Sequence, residues 1–236
     1  MNVQELGYQK TPLGDLTLRR RVEPLLDDQE ILEVKLGDEY LMSSLFTESE
    51  RQLATLGLSP LEGELDVVIG GLGLGYTAAE ALKNKMVRRL LVIDLFQEVI
   101  DWHRAGLVPN GVVLTEDPRC ELRQGDFFEL ARVGFDATTP GRKFDAVLLD
   151  IDHSPEHSLK GSNKFLYTPD GLASVRSQIK PGGCFALWSN DPAKEGFTAH
   201  LTSAFGSATA HNVEFPNPYT NSTSVNSVYV ARNSGG

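Results

Sequence analysis

The segment from Leu65 to Asp94 constrains the fold of this chain most strongly. An apolar run at residues 65–69 is followed by Gly70-Gly71-Leu72-Gly73-Leu74-Gly75, a segment of helical period and a second apolar run that ends at Asp94. Short apolar runs rich in branched residues are typical of buried strands. The order of strand, glycine turn, helix, strand and acid predicts a nucleotide-binding βαβ unit, because glycines let a ligand approach the backbone closely.

The spacing of the glycines narrows the class of ligand. Four glycines in six residues, Gly70, Gly71, Gly73 and Gly75, form G-x-G-x-G, and the third glycine of the dinucleotide pattern G-x-G-x-x-G would fall on Tyr76. This spacing argues against NAD. A tight turn without a ligand is the alternative, but the acid that ends the next strand favours a nucleoside, since Asp94 can accept hydrogen bonds from two ribose hydroxyls.

Length and composition exclude several classes of protein. At 236 residues the chain can form one α/β domain with a small appendage. The net charge of −10 disfavours nucleic acid as a partner and favours neutral or cationic small substrates. No apolar run approaches the roughly 18 residues of a membrane span, and the N-terminus lacks the apolar core of a signal peptide. With two cysteines read as buried thiols, we expect a cytoplasmic protein without a membrane partner.

Segments on both sides of the βαβ unit complete the predicted fold. Short strands occupy residues 1–46, with Gly37-Asp38 as a hairpin turn, and Thr47-Glu48-Ser49-Glu50 predicts a capping box that starts a helix. Downstream of residue 94, strands alternate with helices, and Lys180-Pro181-Gly182-Gly183 predicts a break before a strand at 184–188. We therefore expect an α/β fold with a Rossmann-like, seven-stranded, mainly parallel sheet at residues 61–236 and a small N-terminal β-domain at 1–60.

Candidate site residues follow from the ends of four predicted strands, which should lie along one edge of the sheet. The glycine turn and Asp94 would hold the ribose end of a nucleoside. Gly125, Asp126 and Phe127 would meet a purine base, although Asp126 is equally well placed to cap the following helix. Asp150 would lie at the reactive end, with Asp152 and His153 in the next loop as further catalytic candidates, His153 because it can accept a proton near neutral pH. No metal site is predicted.

These motifs resemble the class I S-adenosylmethionine-dependent methyltransferase fold and, within it, the spermidine synthase-like (polyamine aminopropyltransferase) branch. The resemblance covers roughly residues 30–190. The glycine turn resembles the branch's GGGDGG, residues 94–100 resemble E-I-D-x-x-V-I, residues 144–155 resemble Y-D-V-I-x-x-D-S-S-D-P, and residues 165–183 resemble L-Y-x-x-x-F with a later L-K-P-G-G. The resemblance implies S-adenosylmethionine or its decarboxylated form as cofactor and a small amine as acceptor. It also implies that Asp150 orients that amine.

The resemblance leaves the transferred group open. Gly73 stands where the branch has the aspartate that holds the aminopropyl amine, and His153 stands at its second D-S-S-D aspartate. Because a primary ammonium in a pocket requires a carboxylate partner, these substitutions favour methyl transfer to a small amine over aminopropyl transfer. A non-catalytic nucleoside-binding protein is a further alternative. A homodimer is compatible with either function.

Overall fold

The computed structural model describes residues 3–136, 138–151, 154 and 161–235. The N-terminal part is an antiparallel sheet with strand order β1-β2-β3-β4. Its strands are β1 (Val3–Thr11), β2 (Gly14–Glu23), β3 (Gln29–Leu36) and β4 (Glu39–Ser43). The predicted Gly37-Asp38 turn joins β3 to β4, and helix α1 (Glu48–Leu58) leads out of this sheet.

The main sheet has seven strands in the order β10-β11-β9-β8-β5-β6-β7, of which β11 runs antiparallel to both of its neighbours. This confirms the predicted fold class. Its strands are β5 (Leu65–Gly70), β6 (Val87–Asp94), β7 (Cys120–Gln124), β8 (Phe144–Leu149), β9 (Ile179–Ser189), β10 (Gly206–Asn217) and β11 (Ser222–Asn233). Its helices are α2 (Tyr76–Lys83), α3 (Gln97–Arg104), α4 (Gly111–Glu116), α5 (Phe127–Val133), α6 (Pro169–Ser177) and α7 (Glu195–Phe205).

Two apolar layers cover the faces of the main sheet, because successive strand residues point to opposite sides. In β5, Val67 and Ile69 pack on one side with α1, α2 and α3, whereas Val68 packs on the other with α5, α6 and α7. The first layer also contains Leu16, Leu18 and Val34 of the N-terminal sheet, so the small sheet shares a core with the large one. None of the helices in the described ranges is both long enough and apolar enough to cross a membrane.

Four local features were predicted incompletely or wrongly. Within the strands expected in residues 1–46 no pattern singled out β1, because its residues are mostly polar and it is largely exposed at the sheet edge. The short helix α4 lies where Pro109-Asn110-Gly111 predicts a loop. The segment 180–183 lies within β9 rather than before it: Phe144 pairs with Ile179 and Ala146 with Cys184, so the extra residues form a bulge. Finally, α1 begins as predicted, but the side chain of Thr47 makes no capping hydrogen bond.

Candidate active site

A cleft opens between the N-terminal sheet and the carboxyl edge of the main sheet. It lies where the strand order reverses, at the ends of the neighbouring strands β5 and β8, which is where open α/β sheets bind ligands. The cleft contains about 1080 Å³ of space free of protein atoms, including its opening to solvent. Apolar side chains of the N-terminal sheet and its first turn form one wall, namely Leu13, Val34, Leu36, Leu41 and Met42.

Most of the residues predicted to bind a ligand are brought together in this cleft. Those that line it are Gly71, Gly73, Gly75, Asp94, Asp126, Phe127 and Asp150. Gly70 and Gly125 do not line it. A side chain at Gly70 would run into the Phe127 ring, so Gly70 serves close packing behind the cleft. The predicted catalytic candidates Asp152 and His153 lie outside the described residues.

The glycine loop brings its backbone against the end of β8. Gly71 has a φ of +94°, and a Cβ atom there would run into the carbonyl oxygen of Asp150. Hydrogen bonds fix the same junction, since the Asp150 N–H donates to the Gly70 carbonyl at 2.8 Å and the Gly71 N–H donates to the Ile93 carbonyl at 2.9 Å. Glycine is thus required at position 71 by both conformation and space.

Asp94 ends β6 and is hydrogen-bonded to the backbone around the cleft. Its Oδ2 accepts from the Leu72 N–H and its Oδ1 from the Phe96 N–H, both at 2.9 Å. Burial raises the pKa of this carboxyl, and the backbone N–H groups oppose that shift. The carboxylate therefore holds the glycine loop in place. The Gly73 N–H also bonds this carboxyl group, and the expected contact with a ribose remains a prediction.

Asp126 has the capping role that the sequence also allowed. Its Oδ1 accepts from the N–H groups of Phe128 at 3.0 Å and Glu129 at 3.4 Å, which makes it the N-cap of α5. It still lines the cleft, so capping and contact with a base remain compatible. The neighbouring Phe127 is 2 % exposed and packs edge-on against Phe128 at the floor of the cleft.

Asp150 faces the cleft directly after β8. Its Oδ2 accepts a hydrogen bond of 2.7 Å from the Thr77 hydroxyl at the start of α2. Burial raises the pKa of Asp150, while the Thr77 hydrogen bond opposes that shift. A carboxyl group with a raised pKa at a cleft wall is suited to exchanging a proton near neutral pH.

Glu50 is the functional candidate that sequence reasoning missed. It lies on α1, is 7 % exposed and lines the cleft. Its Oε2 accepts from the Ser49 hydroxyl at 3.0 Å, and Asn226 of β11 donates to that hydroxyl at 3.0 Å. Burial and the charge of Asp150 both raise the pKa of Glu50. The sequence does contain a signal: Leu53, Ala54 and Leu58 follow Glu50 at intervals of three, four and eight residues, which is the spacing of one helix face. That face is buried in the structure.

The cleft as a whole is strongly acidic. Four carboxyl groups line it, those of Glu50, Asp94, Asp126 and Asp150, and no lysine, arginine or histidine is among the described residues of its wall. The remaining surface is apolar apart from the glycine loop and a few polar groups. Such a site favours ligands with an apolar body and positive charge and disfavours anionic groups.

The sheet order and the cleft at its switch point define the class I S-adenosylmethionine-dependent fold. Solved structures with this fold include a spermidine synthase in complex with the transition-state analogue AdoDATO and the spermidine synthase from Thermotoga maritima. Their TM-scores are 0.75 and 0.73, each at 18 % identity and 98 % coverage of this chain, with 74 % and 73 % coverage of the solved chains.

The chain belongs to the spermine/spermidine synthase domain family, whose model matches residues 48–216. Polyamine aminopropyltransferases are among its relatives. That of Pyrobaculum aerophilum is 28 % identical over 148 residues, covering 62 % of this chain and 49 % of the relative. That of Pyrobaculum calidifontis is 27 % identical over 161 residues, covering 67 % and 54 %. The chain thus spans about half the length of the curated relatives it matches.

Proposed function

We propose that this chain is an aminopropyltransferase that transfers the aminopropyl group of decarboxylated S-adenosylmethionine to a small amine. The observation that carries the proposal is the acidic wall of the cleft. S-adenosylmethionine, the methyl donor, keeps an α-carboxylate that needs a cationic or N–H partner. The decarboxylated donor lacks that anion and presents only a sulfonium and an ammonium. These groups suit a wall whose described residues include four carboxyl groups and no basic side chain.

The relatives' names agree with this choice. The two named above are polyamine aminopropyltransferases, and neither name supports methyl transfer, which the sequence had favoured. That preference for methyl transfer rested on the aspartates that Gly73 and His153 replace, because without them an ammonium would lack a carboxylate partner. Glu50 weighs against that preference, because it brings a carboxyl group into the same cleft from helix α1.

The transfer is a substitution at carbon. The acceptor nitrogen forms a bond to the aminopropyl carbon attached to sulfur, the carbon–sulfur bond breaks with its electron pair moving to sulfur, and the acceptor loses one proton. Methylthioadenosine and the extended amine are the products. In this chain the glycine loop and Asp94 would bind the nucleoside, Phe127 would pack against it, and Asp150 would orient the acceptor amine and take up its proton.

Calorimetric titration of the full chain with three nucleosides tests the proposal. We expect decarboxylated S-adenosylmethionine to bind at least about tenfold more tightly than S-adenosylmethionine, a difference of roughly 1.4 kcal/mol. Methylthioadenosine, which lacks the charged tail, serves as the reference. Incubation with a panel of linear diamines and triamines should then release methylthioadenosine.

Two results would overturn the proposal. Formation of S-adenosylhomocysteine with an amine acceptor would restore methyl transfer. Tight nucleoside binding without turnover of any amine would indicate a binding protein instead.

A further inference from the structure

Glu50 and Asp150 both line the cleft, and the start of α2 contacts both residues. Thr77 links them: its hydroxyl oxygen lies 3.1 Å from the backbone carbonyl of Glu50 and 2.7 Å from Oδ2 of Asp150. The two carboxyl groups interact, since the charge of Asp150 makes ionisation of Glu50 harder. The mechanism above assigns a role to Asp150 and none to Glu50.

The carboxyl group of Glu50 is held in position by a buried hydrogen-bond chain. Asn226 donates to Ser49 and Ser49 donates to Glu50, and all three residues are at most 7 % exposed. This chain crosses from β11 to α1 and contains no cation. Such an arrangement fixes where the carboxyl group points without neutralising it.

In the described part of the chain no charged neighbour forms an ion pair with Glu50, although the charge of Arg51 lowers the pKa of Glu50 from a distance. The guanidinium of Arg51 lies 5.0 Å from the Tyr76 ring centroid and bonds Glu80 at 3.4 Å, so it points along α2. Asp150 adds negative charge, and Tyr76 is a neutral phenol at physiological pH whose pKa is raised by burial. A buried carboxylate without a cation is costly and is either protonated or paired with a charged ligand.

The four acids of the cleft therefore differ in what they can offer a ligand. Asp94 and Asp126 accept hydrogen bonds from backbone N–H groups of the loop and of α5. Glu50 and Asp150 accept from hydroxyl groups, those of Ser49 and Thr77. A primary ammonium has three N–H donors and can bond two carboxylates at once, neutralising both.

We propose that Glu50 is a substrate-binding residue that, together with Asp150, binds a primary alkylammonium and so determines specificity for amine-bearing ligands. The inference rests on the proposed function and deepens it. Two sources carry this group, the aminopropyl tail of the donor and the acceptor amine. Either one would occupy the space between the two carboxyl groups.

The test compares Glu50→Gln with Glu48→Gln, a matched control because Glu48 is exposed on the same helix and outside the cleft wall. Glutamine keeps the size of the side chain and an acceptor for Ser49 but removes the charge. Calorimetry with decarboxylated S-adenosylmethionine probes the tail ammonium. Calorimetry with 1,4-diaminobutane in the presence of saturating methylthioadenosine probes the acceptor ammonium.

We expect Glu50→Gln to weaken the binding of at least one of the two ammonium-bearing probes by tenfold or more. The probe whose affinity falls shows whether Glu50 binds the donor's tail or the acceptor amine. Affinity for methylthioadenosine, which carries no ammonium, should change by less than twofold. Glu50→Asp, which restores the charge, should recover part of the lost affinity. Glu48→Gln should behave like the parent in both arms.

The inference is overturned if each probe binds Glu50→Gln as tightly as it binds Glu48→Gln. It is also overturned if the parent chain binds neither probe. Loss of methylthioadenosine binding together with the probes would also overturn it, by assigning Glu50 a structural role. If instead the probes depend on Glu50 but no amine is turned over, the proposed function fails and the ammonium site stands.

Thermal unfolding at several pH values separates the binding role from a structural one. Because the folded-state pKa of Glu50 is raised, its contribution to stability is complete below the ordinary carboxyl pKa and is lost as the pH rises through the raised value. As the pH rises from the ordinary carboxyl pKa through the raised pKa, the free energy of unfolding should fall less for Glu50→Gln than for the parent. A variant destabilised equally at every pH would contradict the idea that the charge is kept for a ligand.

Discussion

Replacing Gly71 by alanine tests whether the contact between the glycine loop and the end of β8 organises the candidate active site. The added carbon would lie 2.9 Å from the carbonyl carbon of Asp150 and closer still to its oxygen. The contact with the oxygen is the closer of the two and decides the displacement. A carbon and an oxygen that are not bonded need at least about 3 Å, so the two segments must separate by roughly 1 Å. The Asp150 carboxylate moves with that backbone, which disturbs its hydrogen bond from Thr77.

The size of the effect follows from that displacement. A misplacement of about 1 Å in an active site costs up to about a hundredfold in rate, so Gly71→Ala should lower turnover by up to about a hundredfold. Alanine at a φ of +94° adds a conformational cost of about 1–2 kcal/mol to folding. Methylthioadenosine release with a diamine acceptor measures turnover, and urea unfolding measures stability.

Gly63→Ala provides the control for backbone strain. Gly63 has a φ of +79°, and a Cβ atom there would meet no other atom within 4 Å. This variant should lose a similar amount of stability while keeping its turnover. The reasoning is refuted if Gly71→Ala turns over as fast as Gly63→Ala at equal folded fraction.

Three further changes test the remaining roles. Asp150→Asn should leave methylthioadenosine affinity nearly unchanged and lower turnover on the order of a hundredfold, the scale of acid–base assistance; parental turnover would leave Asp150 structural. Asp94→Ala should weaken methylthioadenosine binding by about 1–2 kcal/mol in calorimetry, and unchanged affinity would remove Asp94 from the site. Gly7→Ala should lower the free energy of unfolding by about 1–3 kcal/mol in urea, because its Cβ would lie 2.8 Å from Cε2 of Trp102; Gly196→Ala, with open space around it, should not.

The arrangement of the active-site cleft was partly predictable because much of it is encoded in contiguous residues. The turn at residues 70–75, the acid at the end of β6 and the cap at Asp126 each follow from patterns a few residues long. Right-handed crossovers then bring the carboxyl ends of the parallel strands to one edge. The fold class and the common location of these groups therefore required no information about distant contacts.

Other features of the site depended on contacts between distant parts of the chain. Thr47 and Glu50 fit a capping box locally, but in the folded protein Glu50 is buried, where Ser49 and Asn226 of β11 hold it near Asp150. Likewise, nothing near Lys180 indicates that residues 180–183 continue β9 as a bulge, because pairing with β8 decides it.

The sequence by itself determined the βαβ unit, the mainly parallel sheet and the edge at which a nucleoside would bind, since helical and strand periodicity and turn chemistry are local properties. Only the tertiary structure decided that Gly71 touches the end of β8 and that two carboxyl groups from α1 and β8 share one part of the cleft. The physical reason is that burial and charge coupling arise when segments distant in the chain pack together. The periodic pattern within one segment does not predict which other segment it will contact.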